Sequence, residues 1–355
     1  MGGLSILVIA LAFGLIVFVH EAGHFISARL SRMAVREFSI GFGRPLLFWF
    51  KRGETQYSFR LWPFLSFVRV AGMEPGDDHP QGFHRKSRLA QAFVLVSGCV
   101  MNFLLAAAIY ACMGALIGMP VPLKTVREVV PDSPAARAGL VPGDRLLGVA
   151  GQVDMTVDEI RETIQEHAEK PLVLEIERDG AARSIEITPA TETALDMRGL
   201  RLTKVPIGRI GIAFDSRFER MGVGRSIVVG FAQTYDMIRF QAAALLAMLS
   251  RTLAPEIAGP VGVLHAMYAD AKAGWFQFLS TFAAIAIAIG FINLLPIPPL
   301  DGSRLVIVGL EGVRGRPFDK RKEIVVHLIG IAILLALFVV VTFKDILRIA
   351  TQGGG

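Results

Sequence analysis

Two histidines, His20 and His24, stand four residues apart, with Glu21 directly after the first. On a helix that spacing turns the imidazoles about 40° from each other, one turn apart on one face. Both can then bind one metal ion. Glu21 projects roughly 100° away from His20, near an open coordination position, where it can take a proton from an activated water. A motif with two free positions recurs by chance in about one chain in a hundred of this length. Its surroundings raise its weight. Ile6 to Val19 is unbroken apolar sequence. Ionisable side chains at the end of such a segment are costly to bury and are read by default as functional.

A metal centre of this kind needs a third protein ligand. His79 and His84 lie in a basic loop and read as surface residues. His167 and His265 fall in segments expected on the other side of a membrane, and His327 reads as a packed residue of the last apolar run. Asp301 is the better candidate. It follows Phe291-Ile292-Asn293-Leu294-Leu295 and the proline cluster Pro296-Ile297-Pro298-Pro299, and it precedes Gly302. A carboxylate there would sit at the depth of His20 and His24. The prolines, Pro298 among them, break a helix and free backbone groups that could hold an extended peptide. A rival reading takes Glu311, on a later helix, as the third ligand.

The elements that must position these residues read as membrane helices. The 355-residue chain is 53% hydrophobic and 19% charged, with its apolar residues in long runs, which is a membrane signature. Candidate spans cover residues 4–28, 90–118, 275–299 and 324–343. A fifth run, 226–250, contains Gln233, Asp236, Arg239 and Gln241 and reads as an amphipathic helix on the membrane or against the bundle. The first run lacks a basic n-region and an A-x-A site, so it does not read as a cleavable signal. Cys99 and Cys112 share one apolar run. As helical residues they would lie roughly 20 Å apart, beyond disulfide reach.

Arg and Lys concentrate after span one and between spans three and four, which places both loops in the cytoplasm and residues 120–225 outside. Within the first loop, residues 45–70 read as an aromatic β-hairpin associated with the membrane, with Gly41-Phe42-Gly43 supplying a sharp turn before it. The hairpin either seals the bundle or touches substrate. Residues 122–205 read as a compact α/β module. Its helix is expected from Asp154 to His167, burying Met155, Val157, Ile160 and Ile164.

Five motifs in this order resemble the site-2 protease family of intramembrane metalloproteases, bacterial branch. They are His20-Glu21-Ala22-Gly23-His24, Gly41-Phe42-Gly43, Gly98-Cys99-Val100-Met101-Asn102-Phe103, Ile257-Ala258-Gly259-Pro260-Val261-Gly262, and Asn293 through Asp301-Gly302. Ser133-Pro134-Ala135-Ala136-Arg137-Ala138-Gly139-Leu140 resembles the start of bacterial PDZ domains. The family pattern departs at Ser303, at Leu65-Ser66, at Cys99 and at Ala288, which touches substrate-loop details rather than the metal site.

The resemblance implies Zn²⁺ held by His20, His24 and Asp301, Glu21 as the base, and Asn293 against the substrate backbone. Asn102 reads either as an interhelical hydrogen-bond residue or as a polar group near the scissile carbonyl. Backbone amides near Gly139 and Leu140 could capture a peptide carboxylate, or the module could act as a steric filter. The expected fold is a polytopic α-helical membrane protein with four transmembrane helices, a cytoplasmic β-hairpin region and one extracytoplasmic PDZ domain. Its divisions are 1–119, 120–205 (PDZ), 206–273 (linker and amphipathic helix) and 274–355. The implied activity is hydrolysis of peptide bonds in or near the membrane segments of single-span proteins, such as anti-sigma factors or remnant signal peptides. The implied setting is the bacterial inner membrane, with the lipid bilayer as partner and no nucleic acid. The alternative is a membrane-anchored PDZ scaffold with a degenerate site.

Overall fold

A computed structural model describes residues 3–74, 76–253, 259–316 and 318–352. Ile257, Ala258 and the terminal glycines 353–355 lie outside the described residues. The chain divides into two compact units, one comprising Met1–Cys112, Ser226–Gln241 and Pro255–Gly355, the other Met113–Arg225 and Ala242–Ala254.

The first unit is built on helices. They are α1 (Gly3–Leu30) and α2 (Arg88–Cys112), then, after the second unit's elements, α6 (Pro260–Ala273), α7 (Trp275–Asn293), α8 (Asp301–Arg314) and α9 (Lys320–Gln352). Four helical stretches among the described residues are long and apolar enough to cross a membrane: Leu7–Leu30, Arg88–Ile117, Trp275–Asn293 and Arg321–Thr351. They match the four expected runs, though the third stops at Asn293 rather than 299. The proline cluster that follows cannot continue a helix. α9 leaves Leu335, Val339 and Val340 at 60–65% exposure. Such a surface is stable only against an apolar medium. The 226–250 run forms a helix, α5 (Val223–Leu249), that is not among the four.

Small residues let these helices touch. A Cβ at Gly23 would lie 2.5 Å from the Ser97 carbonyl oxygen, so α1 and α2 cross at backbone contact. Ser27 and Ser97 share a 2.7 Å hydroxyl hydrogen bond at that crossing. Gly259 and Gly262 open α6, and their amides donate to the Asp345 carboxylate of α9 at 3.2 and 2.7 Å. A Cβ at Gly259 would collide with that carboxylate at 2.6 Å, and one at Gly262 would sit tightly against it at 3.0 Å. A helix N-terminus carries unpaired N–H groups and a positive dipole end, which Asp345 satisfies.

Between α1 and α2 lie β1 (Val35–Arg52) and β2 (Thr55–Val70). This hairpin is longer than the expected 45–70. Glu37–Ile40 pairs on one side with Ser66–Arg69 and on the other with Gln56–Phe59, while Phe48–Arg52 pairs with Thr55–Phe59. The ribbon therefore folds back on itself, leaving the 66–70 stretch at one edge. Gly41 and Gly43 do not make a turn ahead of the hairpin. They sit inside β1 at φ 96° and 95°, where the register shifts. Glycine alone adopts that backbone without strain, and it marks a bend.

The second unit is a sheet with two helices. Its elements are β3 (Met119–Val129), α3 (Pro134–Arg137), β4 (Arg145–Val149), β5 (Gln152–Val153), α4 (Val157–Glu166), β6 (Leu172–Arg178), β7 (Ala181–Ile187), β8 (Ala190–Arg198), β9 (Arg201–Arg209) and β10 (Ile212–Glu219). The strand order is β10-β3-β4-β6-β7, with β5 on β4 and β8-β9 as a separate hairpin. Leu172, Leu174 and Ile176 alternate inward along β6, as a strand with one buried face requires. α4 begins in a reciprocal cap between Thr156 and Glu159. It buries Val157, Ile160 and Ile164, and Met155 is buried just before it, as the sequence pattern expects. The segment 206–273, expected as linker and amphipathic helix, holds α5 and also supplies an edge strand of this sheet: β10 pairs with β3.

Candidate metal centre and active-site cleft

α1 carries His20 and His24, and the start of α8 carries Asp301. Their ligand atoms converge. Asp301 Oδ2 lies 3.1 Å from His20 Nε2 and 3.1 Å from His24 Nε2, and the two Nε2 atoms are 3.2 Å apart. Tetrahedral zinc with bonds of about 2.0–2.1 Å would set its ligand atoms about 3.3 Å from one another. The donor set therefore fits three corners of a tetrahedron, with the fourth open. No other cluster of metal-ligating side chains of this kind occurs among the described residues.

Local sequence explains the convergence. Gly302 lets α8 start against the end of α7, since a Cβ there would lie 2.2 Å from the Leu294 carbonyl oxygen. Asp301, one residue earlier, is thereby brought to the histidines. Gly98 of α2 does the same from the other side. A Cβ at Gly98 would sit 2.5 Å from His24 Nε2 and 2.8 Å from His20 Cε1. The imidazoles occupy the space a side chain would need. His24 Nδ1 lies 2.7 Å from the Val94 carbonyl. A carbonyl only accepts, so Nδ1 carries the proton and Nε2 presents its lone pair to the centre.

Around the donors lies a cleft of 320 Å³. Glu21, Asn293, Pro299 and Arg304 line it, together with Phe67, Val68 and Val70 from the 66–70 edge. Val68 lines the cleft together with Glu21. The structure thus gathers His20, Glu21, His24, Asp301 and Asn293 in one place. Sequence reasoning missed the role of Gly98 and the Val94 carbonyl, and offered the hairpin as a whole without singling out its Phe67–Val70 wall. The only signal was the glycine in Gly98-Cys99, whose purpose a one-dimensional reading cannot give.

The other expected site residues do not line the cleft. Asn102 is fully buried, with its side-chain nitrogen 3.5 Å from His20 Nδ1. Pro298 packs against Gly330 of α9; its neighbour Pro299 lines the cleft. Glu311, the rival ligand, binds Arg88 at 2.6 Å and accepts from the Phe318 amide at 2.8 Å. It is committed to α2 and the loop after α8. His79 pairs with Glu54, and His327 Nδ1 bonds the Glu323 carbonyl of its own helix.

In the second unit the amides of Gly139 and Leu140 are already used. They donate to the Ala136 and Ala135 carbonyls at 3.1 and 3.0 Å, closing the end of α3. Neither is free to hold a peptide carboxylate. This unit has a groove of 370 Å³ between α4 and the leading end of β10, lined by Arg161, Ile164, Gln165, Ile210, Ile212 and Phe214. β10 is the last strand of the sheet order, so its outer edge has no strand partner among the described residues. Nearby, Asp144 is buried and accepts from Arg178 Nε and Nη2 at 2.6 and 2.7 Å and from the Val141 amide at 2.9 Å. The hydrogen bonds from Arg178 hold its carboxyl below the usual carboxylate range.

The family model of peptidase family M50 matches residues 8–337. The chain belongs to that family, the site-2 protease family. It is similar to the zinc metalloprotease RasP of Oceanobacillus iheyensis, at 31% identity covering 97% of this chain and 99% of the relative. It is similar also to the metalloprotease MmpA of Caulobacter vibrioides, at 31% identity covering 98% and 96%. A third relative is the regulator of sigma-W protease RasP of Bacillus subtilis, at 27% identity covering 97% and 99%. Membership makes the chain a zinc metalloendopeptidase of the membrane.

Proposed function

We propose that this metallopeptidase cleaves peptide bonds in or beside the membrane segments of single-span proteins. The observation that carries the reading is the open-cornered donor triangle of His20, His24 and Asp301, set at the C-terminal half of an apolar helix with Glu21 in the same cleft. Zinc bound there would polarise the scissile carbonyl and make water acidic enough to ionise near neutral pH. Glu21 takes the proton from the attacking water. The C–O bond forms, the C–N bond breaks, and Glu21 passes the proton to the leaving amine.

A helical substrate carbonyl is already hydrogen-bonded, so a transmembrane substrate must be extended before attack. The Phe67–Val70 edge lines the cleft and supports strand addition, in which main-chain hydrogen bonds replace those lost by the helix. Asn293 is suited to hold the substrate backbone beside it. The basic loops after spans one and three favour a cytoplasmic position for the cleft and an extracytoplasmic one for the second unit, in a bacterial inner membrane.

The second unit then serves as a PDZ-like reader. The groove beside β10 suits an extended, apolar peptide end, and this reading replaces the one based on Gly139 and Leu140. Substrates already shortened outside, such as anti-sigma factors or remnant signal peptides, have such ends. The name of the Bacillus subtilis relative, regulator of sigma-W protease, favours the anti-sigma class. A scaffold with a degenerate site is disfavoured because every donor needed for catalysis is present and converged.

The test is Glu21→Gln in the purified full-length protein with a single-span substrate. Cleavage should fall about 10²–10⁴-fold, with zinc still bound one per chain. Cleavage undiminished in that variant would sink the reading.

A further inference from the structure

A buried amide in α2 has no task in the chemistry above. Asn102 is wholly enclosed, and its side-chain oxygen has no hydrogen-bond partner. Its side-chain nitrogen lies 3.5 Å from His20 Nδ1. As drawn, that contact needs an unprotonated Nδ1. A neutral imidazole would then carry its proton on Nε2, which lies in the donor triangle and could not bind a metal. The oxygen and nitrogen of an amide are nearly isosteric, and which is which is settled by the hydrogen bonds they can make. Turning the amide over places the orphaned oxygen where it accepts from Nδ1–H and frees Nε2 for the centre.

We propose that Asn102 is the residue that positions His20, its side-chain oxygen accepting from His20 Nδ1–H and fixing both tautomer and ring. The same device serves His24, whose Nδ1 bonds the Val94 carbonyl at 2.7 Å. Val94, Gly98 and Asn102 recur at intervals of four along α2, so they form one stripe on a single face. The middle position is bare, and the rings of both histidines lie over it. The positions one turn to either side supply the acceptors. One helix thereby orients two ligands carried by another, with a main-chain oxygen for one imidazole and a side-chain oxygen for the other. Partners of this kind typically change metal affinity 10–100-fold.

This inference rests on the zinc-peptidase reading, and zinc affinity separates the two. The probe is Zn²⁺ itself, titrated against a chromophoric chelator, with full-length protein in detergent. Wild type that fails to bind zinc at all overturns the reading of the site. With wild type binding, Asn102→Leu should weaken zinc 10–100-fold. Asn102→Asp keeps an acceptor and should stay within about threefold of wild type, with cobalt-substituted absorption like that of wild type. In a His20→Ala background, adding Asn102→Leu should weaken binding no further. Wild-type affinity in folded Asn102→Leu overturns the proposal and returns Asn102 to a purely interhelical role. If Asn102→Leu fails to fold, Asn102→Asp decides: a tenfold or greater loss of affinity there overturns it. Unaltered zinc binding in both variants with cleavage lost in both would assign Asn102 to the substrate instead, which also overturns it.

Discussion

Asp144 and Asp301 are carboxylates withdrawn from water in different units of the molecule, and they are treated in opposite ways. Asp144 has its negative charge answered by the Arg178 guanidinium and a backbone amide. Its environment is closed, and it ties β6 to the loop after α3. Among the described residues Asp301 has no Lys or Arg partner. It faces two imidazole nitrogens at 3.1 Å, whose lone pairs can converge with its own on a metal. Converging electron pairs without a counter-charge make sense around a metal and are unfavourable otherwise. Saturation of a buried charge marks structure, and organised lack of saturation marks a site. The surfaces of the units differ in the same spirit. α9 shows apolar side chains outward, as a helix in lipid does, whereas the second unit folds its alternating strands inward as a protein in water does.

The largest expected effect tests the unsaturated side of this contrast. Gly98→Ala puts a methyl where the imidazoles lie, at 2.5 Å from His24 Nε2. Zinc content of the purified variant should fall to a small fraction of one per chain, while the second unit keeps its resistance to proteolysis. Next comes the saturated side. Arg178→Leu leaves the Asp144 carboxylate with only the Val141 amide as partner and should lower the stability of the second unit. Urea unfolding of the second unit should report that loss, and zinc content should not change. Loss of zinc in Arg178→Leu would break the contrast, because it would mean that the two units are not independent.

Acid sharpens the same pair. Arg178 holds the Asp144 pKa below its unfolded value. The stabilisation is therefore full above that unfolded value, about 3.9, and is lost as pH falls through the folded one. Acid unfolding of the wild-type second unit should begin below about pH 4, and Arg178→Leu should have lost this dependence. The smallest effect is at the cap of α4. Thr156→Ala removes half of a reciprocal cap and should cost about 1 kcal/mol, read as a shift in the urea midpoint of the second unit alone.

Several features were legible in the residues because they depend on local periodicity. The spacing of His20 and His24 put both on one helix face. Long apolar runs gave the four spans. The pattern Met155, Val157, Ile160, Ile164 gave the buried side of α4. Asp301 could be nominated because its depth in the membrane follows from its place at the end of an apolar run. The same reasoning failed at Gly139 and Leu140, whose amides are consumed in closing α3. It failed again at Gly41 and Gly43, where a glycine pair read as a turn and proved to be a bend within a strand.

The sequence by itself determined which atoms could bind a metal and which segments seek lipid, because residue type and helical or strand period are properties of neighbours along the chain. Tertiary structure alone decided that His20 and Asp301, 281 residues apart, share one centre. It also decided that Gly98 leaves room for both imidazoles, that the 66–70 edge walls the cleft, and that β10 completes the second sheet. Those outcomes depend on which faces of distant elements meet and in what register. That is set by close packing of the whole chain, and no window of sequence contains it.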